Sequence, residues 1–311
     1  MSDLSEHTLT SSDFESLFGE KLSLYVQGRI KKYDLRYSDV TTQERDSYLK
    51  KIVSILLGEN LMYSGEHRHE QWDKGWRQNL DELLKSNASE AMIPRYFGKY
   101  QINRLKQKFI RPVSKNFEYN MLGVILDWLF DKYLRDYKNI YEFGCGTGHN
   151  LTRLRSFNSK ANLWGLDWAE SSQAMINKYA LINSDKKLFA HKFDYFAPDF
   201  NLELKKDSAI YTVASLEQVG VKYHLFVDYL LKKKPNICIH VEPIEELLHA
   251  ENLMDYLSIC YFKKRKYLSG YLTYLKGLES KRKIKIIKAQ RSYIGSFFIE
   301  GYSIIVWIPL V

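Results

Sequence analysis

Cysteine is scarce in this sequence, and long apolar runs are absent. The 311 residues contain three cysteines, Cys145, Cys238 and Cys260, and none of them belongs to a Cys-x-x-Cys pair. A sparse, odd set argues against a disulfide framework and indicates a reducing compartment. The polar N-terminal stretch has no apolar signal core, and no run approaches the roughly 20 apolar residues that a membrane span requires. We therefore expect a cytoplasmic protein without a membrane span.

Strand patterns are also missing from the first 138 residues. Helices are predicted instead. Thr41 or Thr42 begins one, and Trp72 and Trp76 lie at helical spacing in a second, where we expect them in the core. A basic helix is predicted to end before Pro112, and an amphipathic helix spans 116–137. We interpret residues 1–115 as a helical N-terminal module that caps the rest and binds the acceptor.

From Asn139 onward, short apolar strands alternate with helical segments. This alternation predicts an α/β fold with a doubly wound, mostly parallel sheet of seven strands. The last two strands are joined by a short, glycine-containing stretch, which favours an antiparallel final hairpin. A helical insertion is predicted at about 244–281. The second domain is accordingly predicted over 116–311.

The first of these strands runs into a glycine-rich turn, with glycines at 144, 146 and 148. Glycine allows close approach of the backbone to a ligand, and the following helix directs free N–H groups at the same place. The dinucleotide fingerprint G-x-G-x-x-G does not fit, because His149 holds the place of its third glycine. A phosphate-binding P-loop is excluded because no Gly-Lys-Ser/Thr follows.

The segment Glu142-x-Gly144-x-Gly146-x-Gly148 resembles the first motif of class I S-adenosylmethionine-dependent methyltransferases, with Cys145 as a common filler. Further features follow in the family's order at the ends of the next three strands. The resemblance implies S-adenosylmethionine as the cofactor and a Rossmann-like fold. It implies these cofactor-binding residues: Glu142, Gly144, Cys145, Gly146, Gly148, Asp167, Trp168, Asp194, Tyr195, Ser215 and Leu216.

The resemblance also implies a binding role for three of these residues. The acid at the end of the second strand, Asp167, would bind the ribose hydroxyls, with Trp168 beside the adenine. Asp194 would accept a hydrogen bond from the adenine amino group. Asp167 alone is also compatible with a helix cap, and Asp194 with an acid in a loop.

The catalytic candidates are Glu217, His224 and His240, because an amine or hydroxyl acceptor must lose a proton when it is methylated. Glu217 follows the fourth strand, which faces the methyl group in the family. His240 lies near the end of the fifth strand. Each has a plainer interpretation: Glu217 as a helix cap, and the histidines as packed or solvated side chains. His67 and His69 have no supporting metal ligands nearby, and we predict no metal site.

The sequence indicates the methyl acceptor less clearly than it indicates the cofactor. The net charge is +9, and 95–115 and 263–288 carry most of the excess lysine and arginine. Such segments suit an anionic partner, although lysine-rich solvated helix faces look the same. Tyrosines are interleaved with the basic residues, and the substrate-binding candidates are Arg95, Tyr96, Lys99 and Tyr100. They favour a small-molecule acceptor that is anionic or sugar-like, such as a phosphate-bearing metabolite.

Two other functions stay open from the sequence. An RNA or protein methyltransferase would dock its substrate on the basic segments, although neither the Asn/Asp-Pro-Pro-Tyr/Phe site nor a Pro-Cys nucleophile occurs. A catalytically inactive protein with a methyltransferase-like fold would bind a partner without methylating it. Cofactor binding and salt-sensitive RNA binding distinguish these alternatives.

Overall fold

A computed structural model describes residues 5–310. The ten helices are α1 (Ser11–Phe18), α2 (Leu24–Ile30), α3 (Thr42–Leu57), α4 (His69–Ser86), α5 (Phe117–Tyr133), α6 (His149–Arg155), α7 (Glu170–Ile182), α8 (Tyr223–Lys233), α9 (Leu253–Arg265) and α10 (Tyr271–Ser280). The strands are β1 (Glu6–Thr8), β2 (Arg36–Asp39), β3 (Asn103–Leu105), β4 (Lys108–Pro112), β5 (Asn139–Phe143), β6 (Asn162–Asp167), β7 (Leu188–Lys192), β8 (Ser208–Val213), β9 (Ile237–Glu242), β10 (Ile284–Gln290), β11 (Ile294–Gly295) and β12 (Ser303–Pro309).

The larger sheet has seven strands in the order β10-β12-β9-β8-β5-β6-β7. Strands β9, β8, β5, β6 and β7 pair in parallel, and β12 pairs antiparallel with both β9 and β10. The predicted α/β fold, with its mostly parallel sheet of seven strands and antiparallel final hairpin, is therefore confirmed. The chain order reverses between β5 and β8, and ligands bind outside the carboxyl ends of the strands at such a switch point.

Alternating residues of each central strand pack on opposite faces of this sheet. On one face, Ile140 and Tyr211 pack with the almost wholly buried helix α5. On the other face, Tyr141 and Ile210 pack with residues of α8 and α10. Both faces of the sheet are thus buried, as expected for a parallel sheet covered by helices.

A second sheet was not expected from the sequence. It has five antiparallel strands in the order β1-β2-β4-β3-β11, and four of them precede residue 138. The prediction of a purely helical N-terminal segment is wrong in this respect, and the predicted basic helix before Pro112 is instead the β3–β4 hairpin. Helix α3 is confirmed, with Thr41 and Glu44 forming its capping box. The boundary at residue 115 stays a prediction.

The hairpin escaped prediction because its turn lacks the usual sequence signal. The two residues between the strands, Lys106 and Gln107, both have positive φ angles, of 49° and 61°. Hairpin turns of this kind favour glycine, asparagine or aspartate, so a lysine–glutamine pair gives no turn signal. None of the helices between residues 5 and 310 is both long and apolar enough to cross a bilayer.

Candidate active site

A cavity of about 530 Å³ lies at the carboxyl ends of β5, β6 and β8. Its floor is the glycine-rich turn after β5. Helix α4 and the chain segment between β11 and β12 contribute to its walls. This volume is within the range of sites for small molecules and cofactors.

The glycine-rich turn needs its glycines for both conformation and space. Gly144, Gly146 and Gly148 have φ angles of 66°, 53° and 79°, a region that other residues rarely adopt. A β-carbon at Gly144 would overlap the side chain of Ser215. Glu142 is buried behind this turn, where it accepts hydrogen bonds from Asn150 at 2.7 Å and from the Tyr211 hydroxyl at 2.9 Å. Burial raises the pKa of Glu142 to about 8.

Asp167, the last residue of β6, joins this strand to the glycine turn. Its Oδ2 accepts a hydrogen bond from the Gly146 N–H at 2.8 Å, and its Oδ1 accepts one from the Ala169 N–H at 2.9 Å. Burial raises the pKa of this carboxyl to about 6. Each carboxylate oxygen has capacity for another hydrogen bond, so the group can still bind a hydroxyl in the cavity.

Helix α4 places two tryptophans over the glycine turn. The rings of Trp72 and Trp76 stack with centroids 5.4 Å apart. Trp76 lies so close to the turn that a β-carbon on Gly146 would be 3.0 Å from its Cζ2 atom. The expectation that both indoles belong to the core is wrong, because they are half-buried and line the cavity.

The end of β8 lies beside the glycine turn and forms a further part of the cavity wall. Here the backbone N–H groups of Ser215, Leu216 and Glu217 all donate to the Glu242 carboxylate, at 3.1–3.2 Å. Glu242 thereby fixes the turn that presents Glu217. Burial and the nearby charge of Glu242 raise the pKa of Glu217 to about 8.

The remaining wall is rich in tyrosine. The Tyr302 hydroxyl donates to Glu118 at 2.9 Å, and the tyrosines come from several elements distant in sequence. Cavity residues that sequence reasoning did not assign to a site include Arg68, Trp72, Trp76, Glu118, Tyr261, Tyr267, Phe298 and Tyr302. They are separated by up to 234 positions in the chain, and no local motif connects them.

Most of the predicted site residues meet in this cavity. Those that line it are Glu142, Gly144, Cys145, Gly146, Asp167, Trp168, Tyr195, Ser215, Glu217, Arg95, Tyr96, Lys99 and Tyr100. Gly148 begins α6 just behind the turn, and Leu216 is fully buried under it. Asp194 lies outside the wall, with one Oδ atom 3.8 Å from His69 and the other accepting the Phe196 N–H.

The two candidate histidines are not brought to the cavity. His240 is buried within the larger sheet, where its Nδ1 lies 3.0 Å from the Thr212 hydroxyl and its Nε2 accepts a hydrogen bond from the Trp307 indole at 3.0 Å. Burial lowers the pKa of His240 to about 3. His224 is exposed on α8, with its Nδ1 2.8 Å from the Val221 carbonyl. Glu217 is the catalytic candidate that faces the cavity.

Comparison with known proteins identifies solved structures whose fold is similar to that of this chain. No protein-family model matches the sequence, and no curated protein matches it significantly. The crystal structure of the [4+2]-cyclase SpnF is 12% identical, covers 77% of this chain and 96% of its own, and has a TM-score of 0.51. Magnesium protoporphyrin IX methyltransferase (ChlM) from Synechocystis PCC 6803, solved with bound S-adenosylhomocysteine, is 13% identical, with coverages of 74% and 97% and a TM-score of 0.47.

A third structure is the N-methyltransferase NodS from Bradyrhizobium japonicum WM9 in complex with S-adenosylhomocysteine. It is 11% identical, with coverages of 76% and 100% and a TM-score of 0.45. Together with the strand order, the likeness to SpnF shows that the chain has a Rossmann-like fold. Fold alone does not fix the reaction, since a protein described as a cyclase has it too.

Proposed function

We propose that this protein is an S-adenosylmethionine-dependent methyltransferase that methylates an oxygen or nitrogen of a small molecule. The observation that carries the proposal is one cavity that contains both halves of such a site. The glycine turn and Asp167 line this cavity together with Glu217. A cofactor and an acceptor bound side by side there would meet between them.

The residues present fit this cofactor. Asp167 offers a carboxylate to the two ribose hydroxyls, the glycine turn leaves room for close backbone contact, and Trp168 offers an aromatic face to the adenine. Two ring nitrogens of the cavity wall, Trp72 Nε1 and His149 Nε2, are buried without a partner among residues 5–310. Buried polar groups are rarely left unpaired, so they support a polar ligand at this place. Asp194 lies outside the wall, and its contact with the adenine stays a prediction.

When bound, the cofactor supplies an electrophilic methyl group, and the task of the chain is to position the acceptor and take its proton. Glu217 is suited to that task because its raised pKa makes it a stronger base than an ordinary carboxylate. Glu242 positions it through three backbone N–H groups. Neither His224 nor His240 has a part in this proposal, since both lie outside the cavity.

The distribution of the basic residues supports a small acceptor over a macromolecular one. In the segment 95–115, Arg104 is buried, Arg111 pairs with Glu44, and Arg95 pairs with Glu82. This segment therefore does not present all of its positive charge to a docking polymer. An RNA or protein substrate stays the alternative, and RNA binding that weakens steeply with salt would favour it.

Calorimetry with S-adenosylmethionine and S-adenosylhomocysteine tests the cofactor assignment. We expect saturable binding by the unmodified protein and about 10- to 100-fold weaker binding by Asp167→Ala, since hydrogen bonds to a charged group contribute about 1.5–3 kcal/mol. Asp46→Ala is the control, because Asp46 is exposed on α3 and should leave the affinity unchanged.

Incubation with methyl-labelled cofactor and either a small-molecule extract, RNA or protein then identifies the acceptor class. Label in the small-molecule fraction supports the proposal. No cofactor binding by the unmodified protein would refute it, and unchanged affinity in Asp167→Ala would refute the ribose assignment. Binding without transfer to any fraction would favour an inactive binding protein.

A further inference from the structure

Arg68 is a buried cation without an acidic partner. It lies in the cavity wall with 7% of its surface exposed. Its Nε donates to the Gln71 amide oxygen at 3.0 Å and its Nη1 to the Gln218 amide oxygen at 2.8 Å. Among the residues that the structure describes, it forms no ion pair within 4 Å. Two of its five N–H groups are therefore bound to neutral oxygens, and the others are available to a ligand.

This arrangement is unfavourable unless an anion completes it. A guanidinium keeps its charge at all ordinary pH values, and a buried charge costs free energy unless it is paired and hydrogen-bonded. The Trp72 ring, 4.9 Å from the guanidinium carbon, gives partial compensation as a cation–π contact. It leaves the N–H edge of the guanidinium without an anionic acceptor.

A second guanidinium strengthens the positive field. Arg265, at the end of α9, packs with its guanidinium carbon 5.2 Å from the Tyr267 ring centroid, and its Nε is buried without a partner. The Arg265 Nη1 donates to the Met62 carbonyl, and no carboxylate pairs with it among residues 5–310. Burial and the charge of Arg265 lower the pKa of Arg68, while Glu217 and two tyrosines act in the opposite direction without forming an ion pair with it.

We propose that Arg68, supported by the charge of Arg265, binds an anionic group of the acceptor, either a carboxylate or a phosphate. This inference rests on the proposed function, since it assigns a chemical class to the substrate of the same cavity. A guanidinium suits both groups because its planar fork matches two oxygens at once. The neighbouring Tyr261 and Tyr267 add hydroxyl groups and aromatic faces to the same wall.

The position of Gln218 indicates how far the anion lies from the reacting atom. Its Oε1 accepts from Arg68 at 2.8 Å, and its Nε2 donates to Glu217 at 2.8 Å. One amide group thus separates the proposed anion site from the proposed base. The acceptor is therefore a small molecule whose anionic group is a near neighbour of the hydroxyl or amine that is methylated.

The sequence-based candidates Arg95 and Lys99 are placed differently. Both are exposed at the cavity rim, and Arg95 pairs with Glu82 at 2.8 Å. A paired, exposed arginine gains little from a further anion, because water and its partner already screen its charge. Arg95 is therefore not part of the proposed anion site.

Calorimetric titration with inorganic phosphate and with benzoate tests the anion site, at constant ionic strength maintained with sodium chloride. We expect saturable binding of one probe or both by the unmodified protein, and the preferred probe tells phosphate from carboxylate. Arg68→Met should weaken it at least about 10-fold and Arg265→Met by a smaller factor, because only Arg68 contacts the anion. Arg45→Met, at an exposed arginine of α3 outside the cavity wall, should leave the anion affinity unchanged.

Arg68→Lys keeps the charge without the planar fork, so its affinity should fall between those of the unmodified protein and Arg68→Met. Thermal denaturation of each variant establishes that it is folded. The anion site would be overturned by equal binding to the unmodified protein and Arg68→Met, by an equal loss in Arg45→Met, or by the absence of saturable binding of either probe.

Cofactor titration of the same variants separates this inference from the proposed function. We expect Arg68→Met to bind S-adenosylmethionine as the unmodified protein does, since Arg68 is linked through Gln218 to Glu217 and has no hydrogen bond with the glycine turn or Asp167 among residues 5–310. If the unmodified protein binds the anions but not the cofactor, the methyltransferase proposal fails while the anion site itself stands. If it binds the cofactor but not the anions, only the anion site fails.

Discussion

The carboxyl group of Glu217 combines burial, a neighbouring acid and access to the cavity. Its pKa of about 8 means that the basic, deprotonated form is populated only as the pH rises toward and beyond 8. We expect the methylation rate at saturating substrates to increase with pH through this region. Glu217→Gln should remove the pH-dependent limb and lower kcat by about 10²- to 10⁴-fold, the usual contribution of a general base.

The pH–rate profile of the unmodified protein and of Glu217→Gln is the measurement. Glu217→Asp retains the carboxyl group and should retain a pH-dependent limb with a reduced rate. An identical profile in the glutamine variant would remove Glu217 from the mechanism.

Gly75 lies within α4, between the two tryptophans that cover the glycine turn. A β-carbon there would meet no atom within 4 Å, and Gly75 lines the cavity. A glycine inside a helix lowers its stability by about 1 kcal/mol relative to alanine. Helix α4 is therefore less stable at the place where it borders the cavity. Gly75→Leu should therefore stabilise the fold and fill part of the cavity, with weaker ligand binding as the result.

Gly28→Leu is the matched control for this substitution. Gly28 is exposed within α2 and lies outside the cavity wall, and a β-carbon added to it would likewise meet no atom within 4 Å. Chemical denaturation should show increased stability for both variants, while calorimetry with the cofactor should show weaker binding for Gly75→Leu alone. Equal affinities would mean that the space beside Gly75 is not used by the cofactor.

At the scale of secondary structure, α4 caps a helix that is distant in sequence. No side chain at the start of α7 caps its own helix. The Asp73 carboxylate of α4 instead accepts hydrogen bonds from the Ser171 N–H at 3.0 Å and the Ser171 hydroxyl at 2.8 Å. This contact fixes the tryptophan-bearing helix beside the end of β6, where Asp167 lies.

Asp73→Ala should lower the free energy of unfolding by about 1 kcal/mol, as the loss of an N-cap does, and should loosen α4 over the cavity. Asp73→Asn keeps an oxygen acceptor and should recover most of the loss. Arg77→Ala removes only the exposed pair between Arg77 and Asp73 and should lower the stability much less than Asp73→Ala does. Denaturation and the cofactor affinity of all three variants check this, and equal stability of Asp73→Ala and Arg77→Ala would contradict it.

For the whole molecule, the buried acids set how stability depends on pH. Burial raises the pKa of Glu142 and Glu217 to about 8 and that of Glu242 to about 7, above the 4.5 of a free glutamate. Between these values the folded state binds more protons than the unfolded state, so stability falls as the pH rises. His149 and His240, whose pKa values burial lowers to about 3, act oppositely, but only below 6.5.

We therefore expect the free energy of unfolding to fall by at least about 1 kcal/mol from pH 6.5 to 8. Glu142→Gln removes one of the responsible groups and should show a shallower decline over this interval. Glu59→Gln, at an exposed position, should match the unmodified protein. Denaturant titrations at several pH values measure the slopes, and a decline that is equally steep in Glu142→Gln would show that Glu142 is not responsible.

Local signals in the sequence are sufficient to predict the larger sheet and the glycine turn at the floor of the cavity. Apolar strands that alternate with helices define a parallel sheet, and glycines at 144, 146 and 148 define a turn with positive φ angles, because both signals are local. The roles of Asp167 and Glu217 were predicted from the family resemblance, applied to strand ends that the pattern reveals: Asp167 is the last residue of β6, and Glu217 lies four residues after the end of β8.

The residues that surround this floor could not be predicted, because long-range packing brings them together. The β3–β4 hairpin turns through two residues without turn propensity, and it is stabilised by partners as distant as β11. Arg68, Tyr261 and Tyr302 look like ordinary surface or core residues in the sequence, and packing alone brings them to one cavity. The burial that leaves Arg68 without an ion pair and raises the pKa of Glu217 depends on the whole fold and has no local signature.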